Sequence, residues 1–228
     1  PGTNHPRMLT ELEKASRRGA RIVSFNPLRE AGLLNFTHPQ HAADMIFGRS
    51  TPISTHYYQP RIGGDLAAVR AMAKAVLERA ESDPALLDHE FIARHTHGFE
   101  EYRRMVRETS WDLLVDQCGL SRKQIEEAAE VYCRADRVIC CWAMGLTQHR
   151  HGVANVQEIV NLLLLRGNIG RPGAGPCPVR GHSNVQGDRT MGITEEPSEE
   201  FLARLEREFG FTAPRKHGYA TVHAIKAM

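Results

Sequence analysis

RVICCWAMGLTQHRHG, residues 137–152, begins as an apolar run and breaks at a glycine into a polar loop. Arg137 to Met144 is rich in β-branched, sulfur and aromatic side chains, which predicts a strand. Gly145-Leu146-Thr147-Gln148-His149-Arg150-His151-Gly152 then turns the chain, and Val153 to Arg166 returns to helical spacing until Gly167-Asn168-Ile169-Gly170 stops it. Strand, glycine-bearing loop and helix in that order are the units of an α/β fold.

The same grammar is found upstream. Met8-Leu9-Thr10-Glu11-Leu12-Glu13-Lys14-Ala15 has helical spacing, Arg17-Arg18-Gly19 ends it, and Ala20 to Phe25 reads as a further strand, this one buried, closed by Asn26-Pro27. Residues 31–63 carry Pro39, Pro52, Pro60 and His38, His41, His56 with little periodicity, and predict a long irregular excursion. A helix follows from Asp65 to Glu81, with Leu66, Val69, Met72, Ala73, Val76 and Leu77 on one stripe, Asp65 as its N-cap and Gly63-Gly64 as a close-approach turn. Further amphipathic helices over 88–94, 99–107, 111–118 and 122–133, the last capped by Ser121, predict a helical layer. After Gly170 a glycine- and proline-rich loop leads into PVRGHSNVQGDR, residues 178–189, and helices over 198–209 and 219–228 close the chain. The expected division is an α/β nucleotide-binding region over 1–194 and a helical extension over 195–228.

Composition removes several function classes. The 228 residues hold 29 Lys+Arg against 27 Asp+Glu, a net charge of +2, so the basic stripe that nucleic-acid binding requires is missing. The longest apolar run, Ile159 to Leu165, falls far short of the roughly 18 residues of a membrane span. Pro1-Gly2-Thr3-Asn4-His5-Pro6 reads as a polar loop rather than a secretory leader, so a cytoplasmic setting is expected. Cysteines 118, 133, 140, 141 and 177 form no C-x-x-C pair, which argues against a disulfide framework or a thiolate metal site. Cys140 and Cys141 would point to opposite faces of their strand.

Ligands of open parallel sheets bind outside the carboxyl ends of strands. Here those ends are Asn26-Pro27-Leu28-Arg29-Glu30 and Gly145 to His149, where a following helix N-terminus favours phosphate and Gly145 permits close approach. Ordinary strand-to-helix turns are the alternative. The pairs His95-x-His97 and His149-x-His151 read as surface or capping histidines, because neither lies in a strand and no acid or thiol stands at ligand spacing. PVRGHSNVQGDR packs two arginines and two glycines among amides and a histidine, the mixture that would wrap a polar anion, although Arg180 could also pair with a carboxylate.

Three segments together, Ala143 to His149, Asn161 to Gly175 and Val179 to Gly187, resemble the molybdopterin oxidoreductase family, and formate dehydrogenase alpha subunits within it. Pro1 to Met8 and Ile62 to Asp65 resemble the formate-dehydrogenase-like branch linked to acid resistance. The resemblance covers nearly the whole chain, yet such enzymes are several hundred residues long, so it is a likeness to an interior piece. It implies a Rossmann-like parallel sheet flanked by helices, as in part of the formate dehydrogenase and DMSO reductase catalytic domains.

It also implies molybdenum or tungsten held by two molybdopterin guanine dinucleotides, with the metal-liganding residue and any iron–sulfur cluster outside this chain. Position by position, Gly2, Thr3 and Asn4 resemble a first cofactor loop. Asn26 and Pro27 resemble the strand end that reads a guanine nucleotide, Gly63 and Asp65 its companion turn, and Met144, Gly145, Thr147 and Gln148 a second loop. Asn26 stands where relatives place an aspartate, so a neutral amide replaces a charge. Arg180 matches the arginine that formate dehydrogenases set beside the metal, where a guanidinium fork holds a carboxylate. Gly181, His182 and Gln186 would line the wall between cofactor and substrate. His182 and Ser183 depart from the usual glutamine and asparagine, which leaves a small anion rather than formate as the implied substrate, with electrons leaving to an electron-transfer partner protein. Readings as a non-catalytic nucleotide-binding or protein-interaction module remain, and a generic dinucleotide dehydrogenase ranks last because no G-x-G-x-x-G follows either strand.

Overall fold

Helix α1 (Pro6–Arg17) ends where a left-handed residue is needed. Gly19 takes φ 85°, the Gly19 N–H donates to Ser16 O at 2.8 Å and the Ala20 N–H to Ala15 O at 3.0 Å, the paired bonds of a Schellman stop. The chain then enters β1 (Val23–Phe25). The computed structural model describes residues 6–182, 184–194, 196–216, 218–219 and 221–228.

The excursion expected to be irregular contains α2 (Ala31–Leu34), β2 (Asn35–Phe36), α3 (Ala42–Ile46), β3 (Thr51–Pro52) and β4 (His56–Tyr58). β2 and β3 pair antiparallel, whereas β4 lies parallel to β1 with Val23 opposite His56 and Phe25 opposite Tyr58. Strands of two or three residues are too short to show a period, which is why the pattern of residues 31–63 hid them. Leu9, Leu33, Phe36 and Ile53 form the small core that this segment folds around. Ser24 and Ser54 hydroxyls bond at 2.7 Å, and Ser54 donates on to Leu33 O at 2.6 Å, so the crossover's polar groups are satisfied.

Next come α4 (Asp65–Arg79), a single 3₁₀ turn (Pro84–Leu86), α5 (His89–His95), α6 (Phe99–Glu108), α7 (Trp111–Cys118) and α8 (Arg122–Arg134). β5 (Ile139–Trp142), α9 (Met144–Thr147), α10 (Gly152–Leu165) and β6 (Gly175–Pro178) follow. Instead of burying one stripe, α4 is enclosed by α6, α7, α8 and α10, with Ala67, Ala68, Ala71, Ala73 and Ala75 letting its neighbours come close. The helical layer is capped as its sequence requires: Asp88, Ser110 and Ser121 each accept from a backbone N–H, and Ser121 with Gln124 forms a capping box. Asp65, by contrast, is the first helical residue; Gly64 is the N-cap and makes no side-chain bond.

β6 carries no strand signal because two of its four residues are proline. Its pairing explains why they are tolerated. Gly175 N–H donates to Val138 O at 3.0 Å and Val179 N–H to Trp142 O at 2.7 Å, so alternate N–H groups face β5 and Pro176 and Pro178 fall on the opposite edge. The fold is mixed α/β, with short parallel sheets flanked by helices; among the described residues the parallel strands form two separate pairs, β1–β4 and β5–β6. No helix among the described residues is long and apolar enough to cross a membrane.

By contact density the chain divides into two units, Pro1–Val179 and Arg180–Met228. The second holds α11 (Val185–Thr190), within the polar run read as loop, α12 (Glu199–Phe209) and α13 (Thr221–Ala227). Ser198 caps α12 by accepting from Phe201 N–H at 3.2 Å, and Gly210 at φ 65° ends it. Arg215 then pairs with Glu206 and Glu199, folding the following segment back on the helix.

Candidate cofactor and substrate loops

Within the first unit, loops leave the carboxyl ends of the parallel strands β1, β4 and β5, while β6 runs on into Arg180. The loop after β1 is stitched to itself: Asn26 Oδ1 accepts from Leu28 N–H at 3.1 Å, and Asn26 Nδ2 donates to Glu30 Oε2 at 2.6 Å. Tyr57 braces it from β4, donating its hydroxyl to Leu28 O at 2.5 Å and accepting from Glu30 N–H at 3.2 Å. Gln59 Nε2 donates to Pro27 O at 2.9 Å. Asn26 is half-buried, and each end of its amide makes one bond within the loop and keeps one further hydrogen-bonding position.

The loop after β4 is pressed onto the end of α7. Arg61 N–H donates to Cys118 O at 2.7 Å, Gly63 adopts φ 84°, and a Cβ on Gly64 would lie 2.6 Å from Gln117 O. Only glycine fits at 64, and the turn sets Asp65 at the start of α4. Burial raises the Asp65 carboxyl above the usual carboxylate range, and His149 opposes that shift.

The loop after β5 is α9. Met144, Gly145, Thr147 and Gln148 are all exposed, and a Cβ on Gly145 would meet nothing within 4 Å. Below this open surface the turn is fixed by Asn155 Nδ2 donating to Leu146 O at 2.8 Å and by Gly152, whose Cβ would lie 2.4 Å from Thr147 O. His149 joins two loops: its Nε2 lies 2.6 Å from Gly145 O and 3.8 Å from Asp65 Oδ2. The ring therefore ties the β5 loop to the start of α4, a role that its one-residue spacing from His151 did not disclose. No group of three or more His, Cys, Asp or Glu among the described residues is placed to hold a metal.

Of the other expected site residues, Gly2, Thr3 and Asn4 lie outside the described residues, as does Ser183. Arg180, Gly181, His182 and Gln186 belong to the second unit and are exposed there. Gln186 sits in the first turn of α11, where Asn184 packs so closely on Gly187 that a Cβ would lie 2.2 Å from Asn184 Oδ1. The structure thus brings Gly63, Asp65 and the β5 loop together through His149, and presents Arg180 on a separate unit.

Protein YdeP of Escherichia coli K12 is 52% identical to the chain over 233 residues, covering 100% of the chain and 31% of the relative. An uncharacterized oxidoreductase of Mycobacterium tuberculosis H37Rv is 50% identical over 229 residues, covering 100% and 29%. Formate dehydrogenase H of Escherichia coli K12 is 33% identical over 192 residues, covering 84% and 24%. The chain therefore spans less than a third of the length of these relatives. Among solved structures, acetylene hydratase from Pelobacter acetylenicus superposes with a TM-score of 0.58 at 20% identity, over 73% of this chain and 20% of that one, a likeness of fold. No family model matches.

Proposed function

We propose, from the premise that this chain is homologous to interior segments of formate-dehydrogenase-like oxidoreductases, that it is the corresponding part of a molybdopterin-dependent enzyme. The observation that carries the reading is the α9 loop. It follows a parallel strand, it exposes Met144, Gly145, Thr147 and Gln148 together, and the space over Gly145 is open to a ligand. Backbone amides, a hydroxyl and a carboxamide are the donors and acceptors that a guanine dinucleotide uses, so the residues present fit such a group.

In this reading Met144, Gly145, Thr147 and Gln148 hold one dinucleotide and Asn26, Pro27, Gly63 and Asp65 contribute to its neighbour's site, with Gly2, Thr3 and Asn4 as a further loop. Two molybdopterin guanine dinucleotides per full-length chain would supply a molybdenum or tungsten centre that takes up two electrons. Arg180 binds the substrate, a small anion such as formate, through parallel hydrogen bonds that orient its C–H bond. Gly181, His182 and Gln186 shape the wall beside it, and the electrons pass to a partner protein.

Metal and pterin analysis of the full-length protein, purified from a molybdate-fed host, tests the reading. About one metal and two pterins per chain are expected. A well-folded protein with neither would turn the assignment to a non-catalytic nucleotide-binding or protein-interaction module.

A further inference from the structure

The β5–β6 pair carries three of the five cysteines, and the cofactor reading uses none of them. Cys141 and Cys177 are register partners in a parallel ladder, so their side chains leave the same face of the sheet. Neighbouring strands stand about 4.8 Å apart. That spacing lies inside the roughly 4.4–6.8 Å between Cα atoms that a disulfide accommodates. Cys140 points to the opposite face, and the alternation of cover along Ile139–Trp142 agrees with that division.

We infer that Cys141 and Cys177 are a thiol–disulfide exchange site, a dithiol that low-molecular-weight disulfides such as oxidised glutathione convert into a bond between β5 and β6. One thiol of the pair attacks a glutathione sulfur, forming a mixed disulfide and releasing one glutathione, which takes up the proton lost. The second thiol displaces the other glutathione, closing Cys141–Cys177. Two protein thiols are oxidised, one glutathione disulfide is reduced, and both protons end on glutathione. The second step is intramolecular between register partners, which favours closure over a lasting mixed disulfide.

Both sulfurs are free thiols in the structure; Cys141 is exposed and Cys177 half-buried. Partial burial, then the neighbouring Cys177, raises the Cys141 thiol above its ordinary value. Burial likewise pushes Cys140 up to about 11. A raised thiol leaves little thiolate, so exchange with glutathione disulfide is slow and its extent is set by equilibrium with the thiol pool. The bond would lock together the strands that lead into Met144–Thr147 and into Arg180.

The inference is independent of the cofactor reading, since it needs neither metal nor pterin. Full-length protein is equilibrated in oxidised or reduced glutathione, acid-quenched, alkylated with N-ethylmaleimide after denaturation, digested and weighed. In oxidised buffer the Cys141 and Cys177 peptides should be joined, with both thiols lost in parallel and restored by dithiothreitol. Cys140→Ser should leave the cross-link unchanged, and Cys177→Ser should convert Cys141 into a glutathione adduct. Free Cys141 and Cys177 throughout, a cross-link through Cys140, or separate glutathione adducts on both wild-type thiols would overturn it.

Discussion

A lysine at 180 keeps the charge and loses the fork, so Arg180→Lys in the full-length protein should weaken anion oxidation by about tenfold or more while leaving metal and pterin content unchanged. Steady-state kinetics beside cofactor analysis checks it, and unaltered turnover would remove Arg180 from the substrate site. Tyr58 is 4% exposed, packs on Phe25 and stands in the main core, yet its hydroxyl has no hydrogen-bond partner among the described residues. A buried unpaired hydroxyl forfeits its hydration, so Tyr58→Phe should stabilise the protein by about 1 kcal/mol in urea unfolding, and a clear loss of stability would reveal a partner for the hydroxyl. The situation of Tyr58 is not visible in its immediate sequence neighbours, and His149 likewise resembled a surface histidine until folding set it between Gly145 O and Asp65.

Elements were legible where they were long and capped. The helices over 65–79, 99–108, 111–118 and 122–134 announce themselves by period, and the last also by Ser121, because helix caps and apolar stripes are local properties. β4 and β6 were not legible. β4, unlike the equally short β1, has no aliphatic run to announce it, and β6 exists only because its prolines fall on the edge away from β5. The loop entering α4 shows the same dependence on context. Gly64→Ala would drive a Cβ into Gln117 O and Cys118 Cα, both backbone, so neither can swing aside. It should cost about 1–3 kcal/mol and loosen the turn that places Asp65. Thermal unfolding with hydrogen exchange at residues 61–66 checks this; an unchanged midpoint would mean that α7 can retreat.

At the scale of the molecule, the first unit is held by a polar contact inside its helical core. Glu158 on α10 is 2% exposed and takes Arg70 Nε at 3.2 Å from α4 and the Tyr102 hydroxyl at 3.0 Å from α6. Burial, then Glu158, raises the Tyr102 hydroxyl above its ordinary range, which keeps it a donor. Glu158→Ala strands Arg70 and Tyr102 together and should destabilise by about 3 kcal/mol or more, read as a shift in the urea midpoint. A shift near zero would show that solvent reaches the pair. Nothing in the spacing of Arg70, Tyr102 and Glu158 predicts this meeting, because they are 88 and 56 residues apart in the two bonded pairs. By itself the sequence determined the α/β class, the long helices with their stops, and the polar loops at two strand ends, all of which follow from local period, caps and turn chemistry. Tertiary structure alone decided which strands pair, that Cys141 faces Cys177, and that His149 joins Gly145 to Asp65, because each depends on chain segments that only packing brings into contact.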